Sequence, residues 1–580
     1  MFADGSLRPK LISMFLLFLM INLSYSTVII INSQDWRDVY HGLMYGRMTN
    51  ASKILFFVHP SQYATMHLRV PRGEDILLFE SVDKPFVDNY ASILSSKGFT
   101  NITVRPIKDP TDFSISLAED LNIRKFIVIG DEVGYPSVSV APYALATDSW
   151  VLFVNERNID QITSFLSQVH PVYVMVYGPL PTSLEDKLQP YTTERINRGS
   201  RFDNNLEIVR KMTQLNPSNK QLTLTNGEFL EESLFDPKYP VLLIGRERTP
   251  DQVITFLKSS NYTYATLIGQ ELFDVARKLK DDTPLEHVFV KYGKALVGYN
   301  DKGEMIKSLV DLDKFPVPVY DLRLAVENVR YNVFDHKLYV TYHNLGNSTV
   351  FFKSNIIVKG AGSDEMITVS DDSARMILPH RYYYERYDVD LRDLIDKFDE
   401  LSLEMTTLYG EDYNALNLVL HTNIDHLMIF KFEDNSNITI GNIYYVYPDK
   451  QFYVEVKNNW NQTSYVRLDL TYTINGQNRT ISSDIIEVPG GQTLNITLPE
   501  ILTRDTAQAL DGAPVTVTGN YGGIKEFLQY DISETRPLQV ILPPDYLWLL
   551  ILLIIILIAY IAYKKWQERS GRPRRRKRRK

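Results

Sequence analysis

Trp150–Leu188 reads WVLFVNERNIDQITSFLSQVHPVYVMVYGPLPTSLEDKL. The order is an apolar strand, a few polar residues, Asp160-Gln161-Ile162, a helical stretch, a second apolar strand, Gly178 and another helical stretch. Pro240–Leu279, PVLLIGRERTPDQVITFLKSSNYTYATLIGQELFDVARKL, repeats that order through Asp251-Gln252-Val253 and Gly269. Continuous apolar strands that alternate with helices predict a parallel sheet covered on both faces.

Working outward, the same layout recurs along the first half. Strands are expected at Thr27–Ile31, Ile54–Val58 and Ile76–Phe79, with a helix over Trp36–Met48, and again at Lys125–Ile129, Val151–Val154 and Val172–Val176. A third set is Gln221–Thr225, Val241–Ile244 and Tyr264–Ile268, so first strands recur every 96 to 98 residues. We read three successive Rossmann-like α/β repeats, 27–122, 123–218 and 219–314, the alternative being one interrupted α/β domain. The two later stretches resemble the cell-wall-binding repeat family of the second type, found in threes on bacterial and archaeal surface proteins. That resemblance implies attachment to envelope polymers, although only Gly178 and Gly269 remain of the family's glycine pair and the first repeat has neither.

Ligands of open α/β sheets gather at the carboxyl ends of the strands. There the sequence places Asp35 and Trp36 in the first repeat, Asp131 and Glu132 in the second and Glu228 in the third. These five are the candidate ligand contacts, for a sugar or a cation. The competing expectation is helix capping, with Asp35, Asp131 and Glu228 each serving its own helix and the three edges pointing apart. No GxGxxG occurs, and IGDEVG (129–134) sets two carboxylates where a phosphate would lie.

After Leu312 the helical pattern fades, Pro316 and Pro318 mark a boundary, and alternating β-branched and aromatic residues take over. Asn328, Tyr331, Asp335, Tyr339, Val340, Asn344, Asn347 and Thr349 recur as Asn442, Tyr445, Asp449, Tyr453, Val454, Asn458, Asn461 and Thr463, each displaced by 114 residues. Two tandem β-sandwiches follow, 315–434 and 435–542. The segment KLYVTYHNLGNSTV (337–350) resembles the cell-adhesion-related Ig-like domains of prokaryotic surface proteins, which implies spacing or adhesion.

Both ends point to an envelope protein. Arg8 and Lys10 precede the apolar Leu11–Leu23, which reads as a signal peptide over 1–26. Tyr546–Tyr563 is free of charge and is followed by a basic tail, so a single transmembrane helix at 543–563 and a cytoplasmic tail at 564–580 are expected, with the N-terminal part outside the cell membrane. The helix and tail would then meet membrane lipid. The net charge of the whole chain is -8; setting aside the tail's +10 and the leader's +1 leaves -19 on the segment between them. That charge argues against nucleic acid as a partner.

There is no cysteine, so each domain must rest on an ordinary core. Glycosylation sequons stand at Asn50, Asn101, Asn261, Asn347, Asn437, Asn461, Asn478 and Asn495. Together these features suggest an archaeal surface glycoprotein with a structural or adhesive role, associated with a surface layer or binding envelope glycan. No HExxH, GxSxG or GxxxxGK occurs, and the ten histidines show no metal spacing. Asp311 with Asp313 and Asp388 with Asp390 resemble the cation-binding pair of nucleotide-sugar glycosyltransferases, but neither lies at a strand end of the α/β half. A non-enzyme without cofactor or metal is expected; the alternative is a membrane-held polysaccharide-active enzyme working at the strand ends of the repeats.

Overall fold

A computed structural model describes residues 27–71, 73–299, 305–474, 476–543 and 547–570. The leader read at 1–26 and the tail beyond 570 lie outside the described residues. The first half holds three separate four-stranded parallel sheets. In the first, β1 (Thr27–Asn32), β2 (Lys53–Phe56), β3 (Asp75–Ser81) and β4 (Ile102–Ile107) lie in the order β2-β1-β3-β4. In the second, β5 (Lys125–Gly130), β6 (Trp150–Val154), β7 (Tyr173–Tyr177) and β8 (Glu194–Ile196) take the order β6-β5-β7-β8. After β9 (Gln221–Thr225) comes the short β10 (Phe229–Leu230). The third sheet then adds β11 (Val241–Leu243), β12 (Tyr264–Ile268) and β13 (His287–Lys291), in the order β11-β9-β12-β13. A hairpin of β14 (Gly293–Tyr299) and β15 (Met305–Asp311) follows, then β16 (Phe315–Pro316).

The strands are apolar along their length because helices cover both faces; all five residues of β6 are buried. Helix Tyr135–Ala146 is buried on almost every side, as a helix at the centre of a larger body must be. One hydrophobic cluster runs through all three sheets, from Ile31 and Leu43 through Val128 and Val140 to Leu242 and Leu267, and takes in Phe315 and Val317.

The second half is β-rich. The first copy holds β17 (Leu324–Asn332), β18 (Lys337–Asn344), β19 (Val350–Gly360), β20 (Met366–Ser370), β21 (Arg375–Ile377), β22 (Tyr382–Asp388), β23 (Leu401–Gly410), β24 (Leu416–Ile424) and β25 (Met428–Phe430). The second holds β26 (Ile438–Val446), β27 (Gln451–Asn458), β28 (Ser464–Ile474), β29 (Gln477–Ser482), β30 (Ile486–Val488), β31 (Thr493–Pro499), β32 (Pro514–Gly522) and β33 (Tyr530–Ile541). Strands β17, β18 and β19 begin and end 114 residues before β26, β27 and β28, whereas β22 precedes β31 by 111. Strand order matches as well: β22-β18-β17-β25 against β31-β27-β26-β33, and β20-β19-β23-β24 against β29-β28-β32-β33. The unbroken β33 serves both sheets of the second copy, where the first copy uses two strands.

The matched residues make matched bonds. Buried Asn344 and Asn458 each donate to a carbonyl four residues on (Ser348, Gln462) and to one across the chain (Ile377, Val488). Each also accepts the amide two residues on, of Gly346 and Trp460. Tyr331 and Tyr445 accept the N–H of Leu391 and Leu502, both at 3.2 Å. Tyr339 and Tyr453 donate to Asp335 and Asp449. By compactness the chain divides into one unit comprising the described chain up to Ala325 with His343–Tyr382 and Phe398–His426, and a second comprising Val326–Tyr342, Tyr383–Lys397 and the chain from Leu427.

One expectation is overturned. Among the described residues no helix is long and apolar enough to cross a membrane. The terminal helix spans Leu547–Ser570, and Lys564 and Lys565 fall within it. The side chains before Ile551 lie outside the described residues. The transmembrane element of the expected fold, the single-pass placement in a cell membrane and the lipid contact through this helix and tail are corrected accordingly.

Candidate functional site

The carboxyl edges of the three sheets do not point apart. All three meet one segment, Leu312–Tyr320, which the sequence reads as a linker. At the first sheet Asp313 pairs with Arg69 at 2.9 Å and accepts from Gln62 at 3.1 Å, and Phe315 meets the ring of Phe86. At the second, Gly134 N–H donates to Pro318 O at 2.8 Å and Tyr320 stacks on Tyr135. At the third, β16 pairs with β10, and Val317 N–H donates to Glu228 O at 3.1 Å. Gly134 is required for this: a Cβ there would stand 2.3 Å from Val317. The motif that fails as a phosphate loop is instead a place where backbone meets backbone.

Three of the four candidate acids, Asp35, Asp131 and Glu228, are spent on arginines. Asp35 caps helix Trp36–Met48 by accepting from Arg37 N–H at 3.0 Å and also binds the Arg37 guanidinium at 2.8 Å. Burial works to raise its pKa, but the bonds and charge of Arg37 prevail and lower it. The same guanidinium donates to Asp131 at 2.8 Å, and Asn155 donates to that carboxylate at 2.7 Å. Asp131 therefore caps no helix; the helix that follows it has Gly134 at its N-cap. Glu228 binds Arg246 at 2.8 Å. Trp36 packs edge-on against Phe153 with centroids 4.6 Å apart, and Glu132 is exposed at the rim of a cleft. The structure thus joins Asp35 to Asp131 through one arginine and leaves Glu228 apart with its own. In the other acid pairs Asp388 is held by Lys337, Asp390 by Arg392, and Asp313 by Lys294 as well as Arg69.

Two clefts remain at the second sheet's carboxyl edge, of about 50 and 90 Å3, sharing Val133, Pro136, Pro179 and Tyr320. Under the smaller one lies a buried ion pair, Arg201 with Glu411 at 2.9 Å, each side chain 7% exposed. The Arg201 guanidinium sits 3.7 Å over the Tyr135 ring, and Asn417 donates to Glu411 at 2.8 Å. Burial pushes the Glu411 carboxyl up, outweighing the attraction of Arg201. Nη1 of Arg201 has no hydrogen-bond partner. Sequence reasoning missed this pair, because the residues lie far apart in the chain and no local pattern marks either. The aromatic and proline run FPVPVY (315–320) was the visible signal, and it was read as a boundary. Among the described residues no group of three or more His, Asp or Glu side chains is placed to hold a metal ion.

No protein-family model and no curated protein matches the chain. Solved structures similar to it include Cwp6 from Clostridium difficile, with TM-score 0.37, 15% identity, 45% of this chain and 44% of that one. This chain thus spans less than half the length of Cwp6. Another is the ligand binding region of serine-glutamate repeat protein A of Enterococcus faecium, with TM-score 0.14, 15% identity, 18% of this chain and 99% of that one. At these scores the likeness bears on neither site nor activity.

Proposed function

We propose that this chain is a non-enzymatic cell-envelope or extracellular protein whose α/β and β modules serve a structural or adhesive role. The observation that carries this reading is the segment Leu312–Tyr320. It packs against the edges where an α/β enzyme keeps its substrate, and Asp35, Asp131 and Glu228 beside it are held by Arg37 and Arg246. The sequons support an extracellular setting, since all eight asparagines, from Asn50 to Asn495, are exposed. The test passes envelope polymers and surface-layer protein over the immobilised full chain. Saturable retention of either, without shortening of the polymer, is expected; chain breakdown would establish a polysaccharide-active enzyme instead.

A further inference from the structure

The two clefts at the second sheet's edge adjoin, sharing Val133, Pro136, Pro179 and Tyr320 in their lining, and are taken together as one groove. At about 50 and 90 Å3 each is far below the roughly 300 Å3 of a pocket that encloses a small molecule. Each has room for a side chain. Two side-chain-sized hollows with a shared, mostly apolar wall suit an extended chain that lays alternate residues into them. That wall carries the Tyr320 ring, and grooves lined by aromatic rings are the ones that take a polyproline helix.

Charge at the groove selects the rest of the partner. Glu132 and Glu156 are exposed at one end and Asp412 is half-buried at the other. None of the three is ion-paired among the described residues. The one cation in the lining, Arg201, is already held by Glu411. Three carboxylates around an apolar floor leave a negative potential that a lysine or arginine would satisfy, at exposed sites where desolvation is cheap.

We propose that this groove binds an extended peptide segment, from another protein, that carries proline together with lysine or arginine. The proposal does not depend on where the protein resides or on its having a structural role.

The test is a fluorescence-anisotropy titration of the full chain with labelled peptides of about ten residues. Three probes are compared: alternating proline and arginine, alternating glycine and arginine, and alternating proline and glutamate. The proline–arginine probe should bind saturably and about tenfold tighter than glycine–arginine, because its extended form is already ordered. The proline–glutamate probe should not bind. The double variant Glu132→Gln/Glu156→Gln, whose side chains are exposed and whose melting should match the parent, should weaken the proline–arginine complex about tenfold. Equal affinity for the two arginine probes, binding of the glutamate probe, or an unchanged double variant would each overturn the proposal, as would no binding at all.

Discussion

The α/β half and the β half both repeat, but they use repetition differently. In the α/β half the acids at corresponding strand ends have diverged in role: Asp35 caps a helix, Asp131 shares its arginine, and Glu228 takes another. One hydrophobic cluster runs through all three sheets. In the β half, three strands keep an offset of 114 residues and four matched side chains form the same hydrogen bonds in both copies. The second copy also has a core of its own, from Val454 and Val466 to Leu498 and Val517. A repeat that keeps its own core must keep the bonds that close it. The three sheets share a cluster, beside which the first keeps a second of its own from Val28 and Leu55 to Tyr90 and Leu94, and a shared core leaves equivalent positions freer to differ.

The largest expected effect tests whether the α/β half and the turn carrying Glu411 behave as one body. Arg201→Met leaves Glu411 buried without its cation and should cost about 3–5 kcal/mol in denaturant unfolding, while Arg201→Met/Glu411→Met should recover most of that loss. If the single variant unfolds like the parent, the buried pair does not join the two.

A comparable effect is expected from pH. Asp38, at the first turn of helix Trp36–Met48, is 1% exposed and has Ser33 as its hydrogen-bond donor at 2.6 Å, with Asp35, Arg37 and Asp109 nearby. Burial pushes its pKa up from 3.8 to about 7. The folded state therefore keeps a proton that the unfolded chain has released between those values. This group's contribution is most favourable below the lower value and worsens as pH rises toward the upper one, by at most about 4 kcal/mol. Thermal melting of Asp38→Asn against the parent from pH 4 to 8 should show the smaller loss in the variant; parallel curves would mean that Asp38 is ionised throughout.

The smallest effect sharpens the β side of the comparison. Asn344→Ala strips a buried side chain from three carbonyls and one amide and Asn458→Ala from two carbonyls and one amide, and each should cost about 2–3 kcal/mol. Hydrogen exchange of the amides of Gly346 and Trp460 should speed up in the corresponding variant. A large loss in one copy and none in the other would end the equivalence.

Much of this was legible in the chain. The strand read at Lys125–Ile129 is β5, and the helix read at Trp36–Met48 has those bounds. The offset of 114 led directly to β17–β19 and β26–β28. Such features depend on periodicity and on local chemistry, which neighbouring residues carry between them. The terminal helix, expected to span a membrane, is not matched by any helix long and apolar enough to do so among the described residues.

What the sequence determined by itself was the alternation of strand and helix in the first half, the doubled β pattern in the second, and the positions of the acids and sequons. Only the tertiary structure decided what those acids do. Asp131 meets Arg37 across 94 residues, and Asp313 meets Arg69 across more than twice that distance in sequence. An ion pair between distant residues leaves no periodic trace, since neither partner's neighbours need change to accommodate it. The meeting of three sheet edges at FPVPVY is of the same kind, because the backbone bonds of Gly134 and Glu228 to that segment join residues far apart in the chain.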